Sequence, residues 1–185
     1  MIHLCGWCVW ITGLPGSGKS IIAQALLKQL EHQGIHAQLV SVDTLRRAVT
    51  PKPSYSEKER NIVYACIVFI SKLLTNNGVN VIIDATANRR RYRDNARKQI
   101  QLFIEAYVRC PLELCRDRET KRFNAFMAPR GIYKKALTGE SKTVPGVNVP
   151  YEQPPNPEVI VDSDKQNPEE CAAKILNAMA RIFQI

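Results

Sequence analysis

The chain has 185 residues, 45% of them hydrophobic, enough for one domain with a real core. No run approaches the ~20 consecutive apolar residues that cross a bilayer, and among the six cysteines only Cys5 and Cys8 have zinc-like spacing, with no second pair to answer them. The formal net charge of +9 has a local origin: Arg89, Arg90, Arg91, Arg93, Arg97 and Lys98 form one run, and Arg116, Arg118, Lys121, Arg122, Arg130, Lys134 and Lys135 a second, runs that mean a solvated face or a surface for an anionic partner.

In chain order, Trp7 to Thr12 is a short apolar run ending at Gly13 and predicts a buried strand. The apolar stretch from Met1 lacks a basic leader, so it is expected to be core and the chain cytoplasmic. Ile22, Ala23, Leu26, Leu27 and Leu30 recur at helical spacing up to Gly34, a natural stop. Ala37 to Val42 predicts a second strand. Pro51 and Pro53 break the chain before Ser56, which with Glu59 has the spacing of a capping box, and a helix follows to Asn76. Val79 to Ile83 predicts a central strand, Arg89 to Gln101 a basic helix, and Phe103 to Val108 a further strand. Pro111 opens another helix. Residues 116 to 156 are polar, basic and rich in Gly and Pro, with one short helix at Ile132 to Leu137; their aromatics (Phe123, Phe126, Tyr133, Tyr151) make them a mobile lid rather than a tether. Val159 to Val161 is the last strand, and Asn167, Pro168 and Glu170 start a final amphipathic helix. Alternating strands and helices predict an α/β fold: a three-layer, doubly wound parallel sheet in a single domain spanning residues 1–185, with no internal repeat.

Gly13-Leu14-Pro15-Gly16-Ser17-Gly18-Lys19-Ser20 matches G-x-x-x-x-G-K-[ST], placed between a predicted strand and a predicted helix. Glycines let the backbone wrap a polyphosphate with its N–H groups inward, Lys19 reaches the β- and γ-phosphates, and the Ser20 hydroxyl ligates magnesium. The expected cofactors are therefore ATP and Mg2+. In a chain built to hold polyphosphate, a small anionic substrate accounts for the basic runs as well as nucleic acid does. Asp43 and Asp84 each follow a predicted strand, where doubly wound folds place their ligands. One should bind magnesium and the other accept the proton of an attacking hydroxyl, unless either only caps a helix; the residues themselves leave the roles open.

With these residues in hand, the chain resembles the adenylyl-sulfate kinases, P-loop kinases that phosphorylate the 3′-hydroxyl of adenylyl sulfate (APS) to give PAPS. The resemblance rests on the P-loop, Asp43-x-x-Arg46, Tyr55-Ser56 with Glu59-Arg60, Arg93-Asp94 with Arg97, Pro111-Leu112-Glu113 with Cys115, Gly131-Ile132-Tyr133-Lys134-Lys135-Ala136, Gly139-Glu140, and Pro150-Tyr151-Glu152 continuing to Glu158. It implies Asp43 as base, Asp84 and Ser20 on magnesium, and Arg46, Tyr55, Arg60, Lys134 and Lys142 on the acceptor. It departs from the family pattern at Ser41-Val42, at Val63 with Ala65 or Cys66, at Val144 where a stacking phenylalanine is usual, at Ala87 where a serine is usual, and in extra residues within Glu119 to Pro129. Expected partners are adenylyl sulfate and, as an open alternative, a second copy of the chain; no membrane and no nucleic acid are expected. A kinase of another hydroxyl, of a small molecule or a polynucleotide end, is the alternative activity. An ATP-binding regulator without an acceptor is the alternative from another class.

Overall fold

Every residue of strand β1 (Trp7–Thr12) is buried, because it lies at the centre of a sheet covered on both faces. The computed structural model describes residues 5–121 and 130–184. Among these, β2 (Ala37–Ser41), β3 (Asn80–Asp84), β4 (Leu102–Arg109) and β5 (Val159–Asp162) join β1 in the order 2-3-1-4-5, all parallel. Side chains alternate along β1. Trp7, Val9 and Ile11 meet α1 (Lys19–His32) and α7 (Pro168–Phe183) through Leu26, Leu30, Ile175 and Met179. Cys8 and Trp10 meet α3 (Glu57–Asn76) and α4 (Arg90–Gln99) through Val63, Ile67, Tyr92 and Ala96. The crossover after β1 leaves towards β2 and that after β3 towards β4, so their loops diverge between adjacent strands, the switch point where such sheets bind ligands. No helix among the described residues is long and apolar enough to cross a membrane.

Predicted strands and helices are present with ends shifted by a residue or two, and three readings need correction. Val42–Val49 forms a helix, α2, that the apolar pattern does not announce: Pro51 stops it after two turns, too short for a stripe to repeat. The capping box at Ser56 is only half made. Ser56 accepts from the Glu59 N–H, but the Glu59 carboxylate turns back to Ser54, Tyr55 and Arg46 instead.

The third correction concerns the basic segments. On α4 and the residue before it, Arg89 pairs with Glu152, Arg91 with Glu57, Arg93 with Glu105, and Arg97 with Glu158. Four of the six cations of this run are thus paired with acids from other elements, but only Arg93 is buried; Arg90, Arg91, Arg97 and Lys98 stay on a solvated face. The same bonds fix the far end of the expected lid. Glu152 accepts from the Arg90 N–H at 2.8 Å, capping α4 from a distant loop, and Arg93 donates to its carbonyl at 2.6 Å. Tyr151 hydrogen-bonds Thr12 at 2.9 Å. From Pro150 onward the segment belongs to the scaffold. Ahead of it, Cys115 of α5 (Leu112–Thr120), Tyr133 and Ala136 of α6 (Ile132–Leu137) and Val144 in the segment after α6 pack with Leu14 of the P-loop. Residues 122–129 of the expected lid, Phe123 and Phe126 included, lie outside the described residues.

Candidate active site

Register pairs Ile11 and Ser41 with Asp84, so the ends of β1, β2 and β3 lie level. Gly13 begins just beyond the first, Asp43 just beyond the second, and Asp84 closes the third. A cleft of about 230 Å³ opens over them.

The P-loop supplies Pro15, Gly16, Lys19 and Ser20 to the wall. Gly16 has φ 78°, and a Cβ there would collide with the Cys115 carbonyl of α5, so glycine is required twice over. Gly18, at φ 94°, caps α1. Lys19 Nζ donates to the Leu14 carbonyl at 2.8 Å, and Tyr133 donates to the Pro15 carbonyl at 2.7 Å, tying α6 to the loop. Gly13, Leu14, Ser17 and Gly18 shape the loop without lining the cleft. Burial drives the Cys115 thiol up to about 12, so it is an inert packing group.

Neither aspartate is a helix cap. The cap position of α2 is Ser41, with Asp43 in the first turn, and after Asp84 no helix begins until Arg90, whose cap position is Arg89. Both line the cleft, Asp84 only 7% exposed. Among the described residues no cluster of three or more His, Cys, Asp or Glu forms a dedicated metal cage. One hydroxyl and one or two carboxylates suit magnesium, which keeps waters and takes substrate phosphate oxygens.

On the acceptor side, Arg46 lies with its guanidinium 4.7 Å from the centroid of the Tyr55 ring and pairs with Glu59. Tyr55 adopts φ 54°, a conformation an L-residue reaches only when its surroundings hold it. Burial raises its hydroxyl above the ordinary tyrosine value, with Arg46 opposing. Arg60 donates to the Tyr55 carbonyl, to Asn88 at 2.8 Å and to the Thr143 carbonyl at 2.5 Å. It therefore bridges the acceptor loop, the β3–α4 loop and the segment after α6.

The expected residues Lys134 and Lys142 are exposed and do not line the cleft; Lys135 does, with Arg130. Tyr133 and Ala136 are the buried face of α6, while Lys135 lies three positions after Ile132 and shares its side, and both of these line the cleft. Asn88, Tyr64 and Glu119 also escape the sequence reading. Tyr64 accepts the Ala87 N–H at 2.9 Å, and Glu119 caps α6 through Gly131 and Ile132.

Comparison with known proteins bears on what this cleft handles. A family model described as adenylylsulphate kinase matches residues 5–162. The chain belongs to the adenylylsulphate kinase family. A probable adenylyl-sulfate kinase of Archaeoglobus fulgidus is 40% identical over 86% of this chain and 97% of its own. The adenylyl-sulfate kinase of Microcystis aeruginosa is 37% identical over 97% and 94%. A Mycobacterium tuberculosis APS kinase solved with AMPPNP and APS superposes with a TM-score of 0.83 at 29% identity, covering 95% of this chain and 98% of that one. The cleft is lined by Lys19, Asp43, Arg46, Arg60 and Asp84, while Val144 sits 6% exposed against the α5–α6 cluster as well as at the cleft wall.

Proposed function

We propose that the protein transfers the γ-phosphoryl group of ATP to the 3′-hydroxyl of adenylyl sulfate, giving PAPS. The observation that carries the reading is the convergence of Lys19, Asp84, Asp43 and the Arg46–Tyr55 pair on one cleft in a chain of this family. Asp43 and Arg46 are three apart on α2 and so share a face, which supports Asp43 as the carboxylate nearer the acceptor. Asp84 is in register with the strand that leads into the P-loop, which supports it, with Ser20, as the magnesium site. Magnesium supplies charge neutralisation on the transferring phosphoryl group. Lys19, with Lys135 and Arg130 from across the cleft, would hold the phosphate oxygens in line. Ala87 has no hydroxyl, so no phosphoserine can form at that position, which supports direct transfer.

The working compartment proposed is the cytosol, where ATP is supplied and thiols stay reduced, in keeping with six free cysteines. The assembly proposed is a homodimer burying Ile62, Phe69 and Leu73, each more than half exposed along α3; light scattering at monomer mass would reject it. The activity is tested by an acceptor screen with labelled ATP. Label should move to APS and not to gluconate, shikimate or a polynucleotide end. Transfer to one of those with none to APS overturns the acceptor and leaves only a P-loop kinase.

A further inference from the structure

The cleft wall on the acceptor side is assembled by a carboxylate that the reaction does not use. Glu59 is 9% exposed on the first turn of α3. Its Oε1 accepts from Arg46. Its Oε2 accepts from the Ser54 N–H at 2.5 Å, the Ser54 hydroxyl at 2.7 Å and the Tyr55 N–H at 3.1 Å. Burial alone would raise this carboxyl, but the bonds from Ser54 and then the Arg46 charge outweigh it and hold it below the ordinary glutamate range. Glu59 is ionised throughout the neutral range.

The consequence is geometric. One carboxylate fixes both members of the stacked pair: Arg46, on a different helix, by its charge, and Tyr55, on the preceding loop, by its backbone. Tyr55 stands at φ 54°, and three groups hold it there: Glu59 at its N–H, Arg60 at its carbonyl and Arg46 over its ring. Without Glu59, Arg46 loses its ion pair with that carboxylate and the Ser54–Tyr55 turn loses the acceptor of its N–H groups. The Tyr55 backbone would then relax from this strained conformation, and the ring would leave its place. Glu59 itself does not line the cleft.

We propose that Glu59 is a positioning residue for the acceptor, acting through Arg46 and Tyr55 and not through contact with either substrate. The proposal rests on the kinase reading above and assigns the recognition of a planar, anionic nucleotide acceptor to a platform held by Glu59. ATP binds across the P-loop, which Glu59 does not touch, so its effect belongs to the acceptor alone.

The experiment is steady-state kinetics of the parent, Glu59→Gln, Glu59→Asp and Tyr55→Ala proteins, with the Glu59→Gln/Tyr55→Ala double variant. Glu59→Gln keeps the shape and removes the charge, and the KM for APS should rise about tenfold or more, as for loss of a charged hydrogen bond. The KM for ATP should stay within about threefold, since 1.4 kcal/mol is a factor of ten and no ATP contact changes. Glu59→Asp should show a smaller rise in the same direction, and it carries the test if the Gln variant does not fold. In the Tyr55→Ala background, Glu59→Gln should add less than it does in the parent, because only the part that acts through Arg46 remains. A purely structural role predicts instead that both KM values move together and that the two substitutions add. That result, or a KM for APS unchanged in both Glu59 variants, overturns the proposal. A parent enzyme that does not use APS overturns the kinase reading itself, a separate outcome visible in the same assay.

Discussion

Arg93 offers the sharpest test of how the site is supported. Its side chain is 1% exposed and reaches Glu105 at 2.5 Å, the Ala87 carbonyl, and the Glu152 carbonyl at 2.6 Å. Glu105, 6% exposed, has one other cation nearby, Arg97 at 3.7 Å. Arg93→Met keeps much of the volume but leaves Glu105 buried with a distant partner and two carbonyls without their donor. Breaking a buried pair from one side costs about 3–5 kcal/mol. At about 2–4 °C per kcal/mol for a chain of this size, Tm should fall by about 6–20 °C. Burial already raises Glu105 above the ordinary glutamate value despite Arg93 and Arg97, and removing Arg93 raises it further. A carboxyl raised in the folded state favours folding at low pH and loses that contribution as pH climbs through its folded value. The loss of Tm should therefore be smaller at pH 5 than at pH 8. Arg93→Met with Glu105→Leu, which removes both charges, should recover much of the difference. The assay is differential scanning fluorimetry of the three proteins across that range. A single-variant loss under 2 °C, or a loss that grows as pH falls, would refute the reasoning.

Lys19→Ala should keep the parent's circular dichroism and lower kcat by about a hundred- to a thousandfold, as for removal of one charge-stabilising donor; activity within a few-fold of the parent contradicts the P-loop assignment. Tyr55→Ala should raise the KM for APS by about ten- to a hundredfold, since stacking of a base on an aromatic ring is worth ~1–3 kcal/mol, while Tyr55→Phe stays near the parent. An unchanged KM for APS in Tyr55→Ala would remove the stacking argument. Residues 130 to 149 should exchange amide hydrogens more slowly once ATP and APS are bound, and Pro150 to Glu152 should change little, because Glu152 already caps α4. Equal protection of 130–149 in both states removes the lid.

The sheet and the phosphate loop are legible in the sequence because their determinants are local. Five apolar runs, each bounded by glycine, proline or aspartate, give the strands, and the P-loop pattern carries its own geometry. The acceptor side is less legible because its determinants are backbone groups far away in the chain. Nothing near Arg60 announces that its guanidinium ends on the Thr143 carbonyl, 83 positions on, nor does Glu59 announce Arg46. Glu59 satisfies the spacing of a capping box, so the pattern supplies a complete local explanation for a residue whose work is done elsewhere. That is why the half-made box misleads.

Charge is the other place where composition and structure part. The densest basic run, Arg89 to Lys98, suggests the surface that meets an anion, yet four of its arginines sit in ion pairs with Glu57, Glu105, Glu152 and Glu158. Among the described residues, the cations that line the cleft are Lys19, Arg46, Arg60, Arg130 and Lys135, drawn from four separate stretches of chain. A run of like charges on one helix repels itself unless acids from other elements answer it, and here every answering acid is distant in sequence. Such a run is evidence of a tightly tied helix as readily as of a binding face. In this protein the helix so tied holds Ala87 and Glu152 in place, and Glu152 in turn donates its N–H to the Asn88 carbonyl at 2.8 Å. Through Asn88 it holds Arg60, and through Arg60 the Tyr55 carbonyl, so the basic helix reaches the acceptor side of the cleft by position rather than by charge.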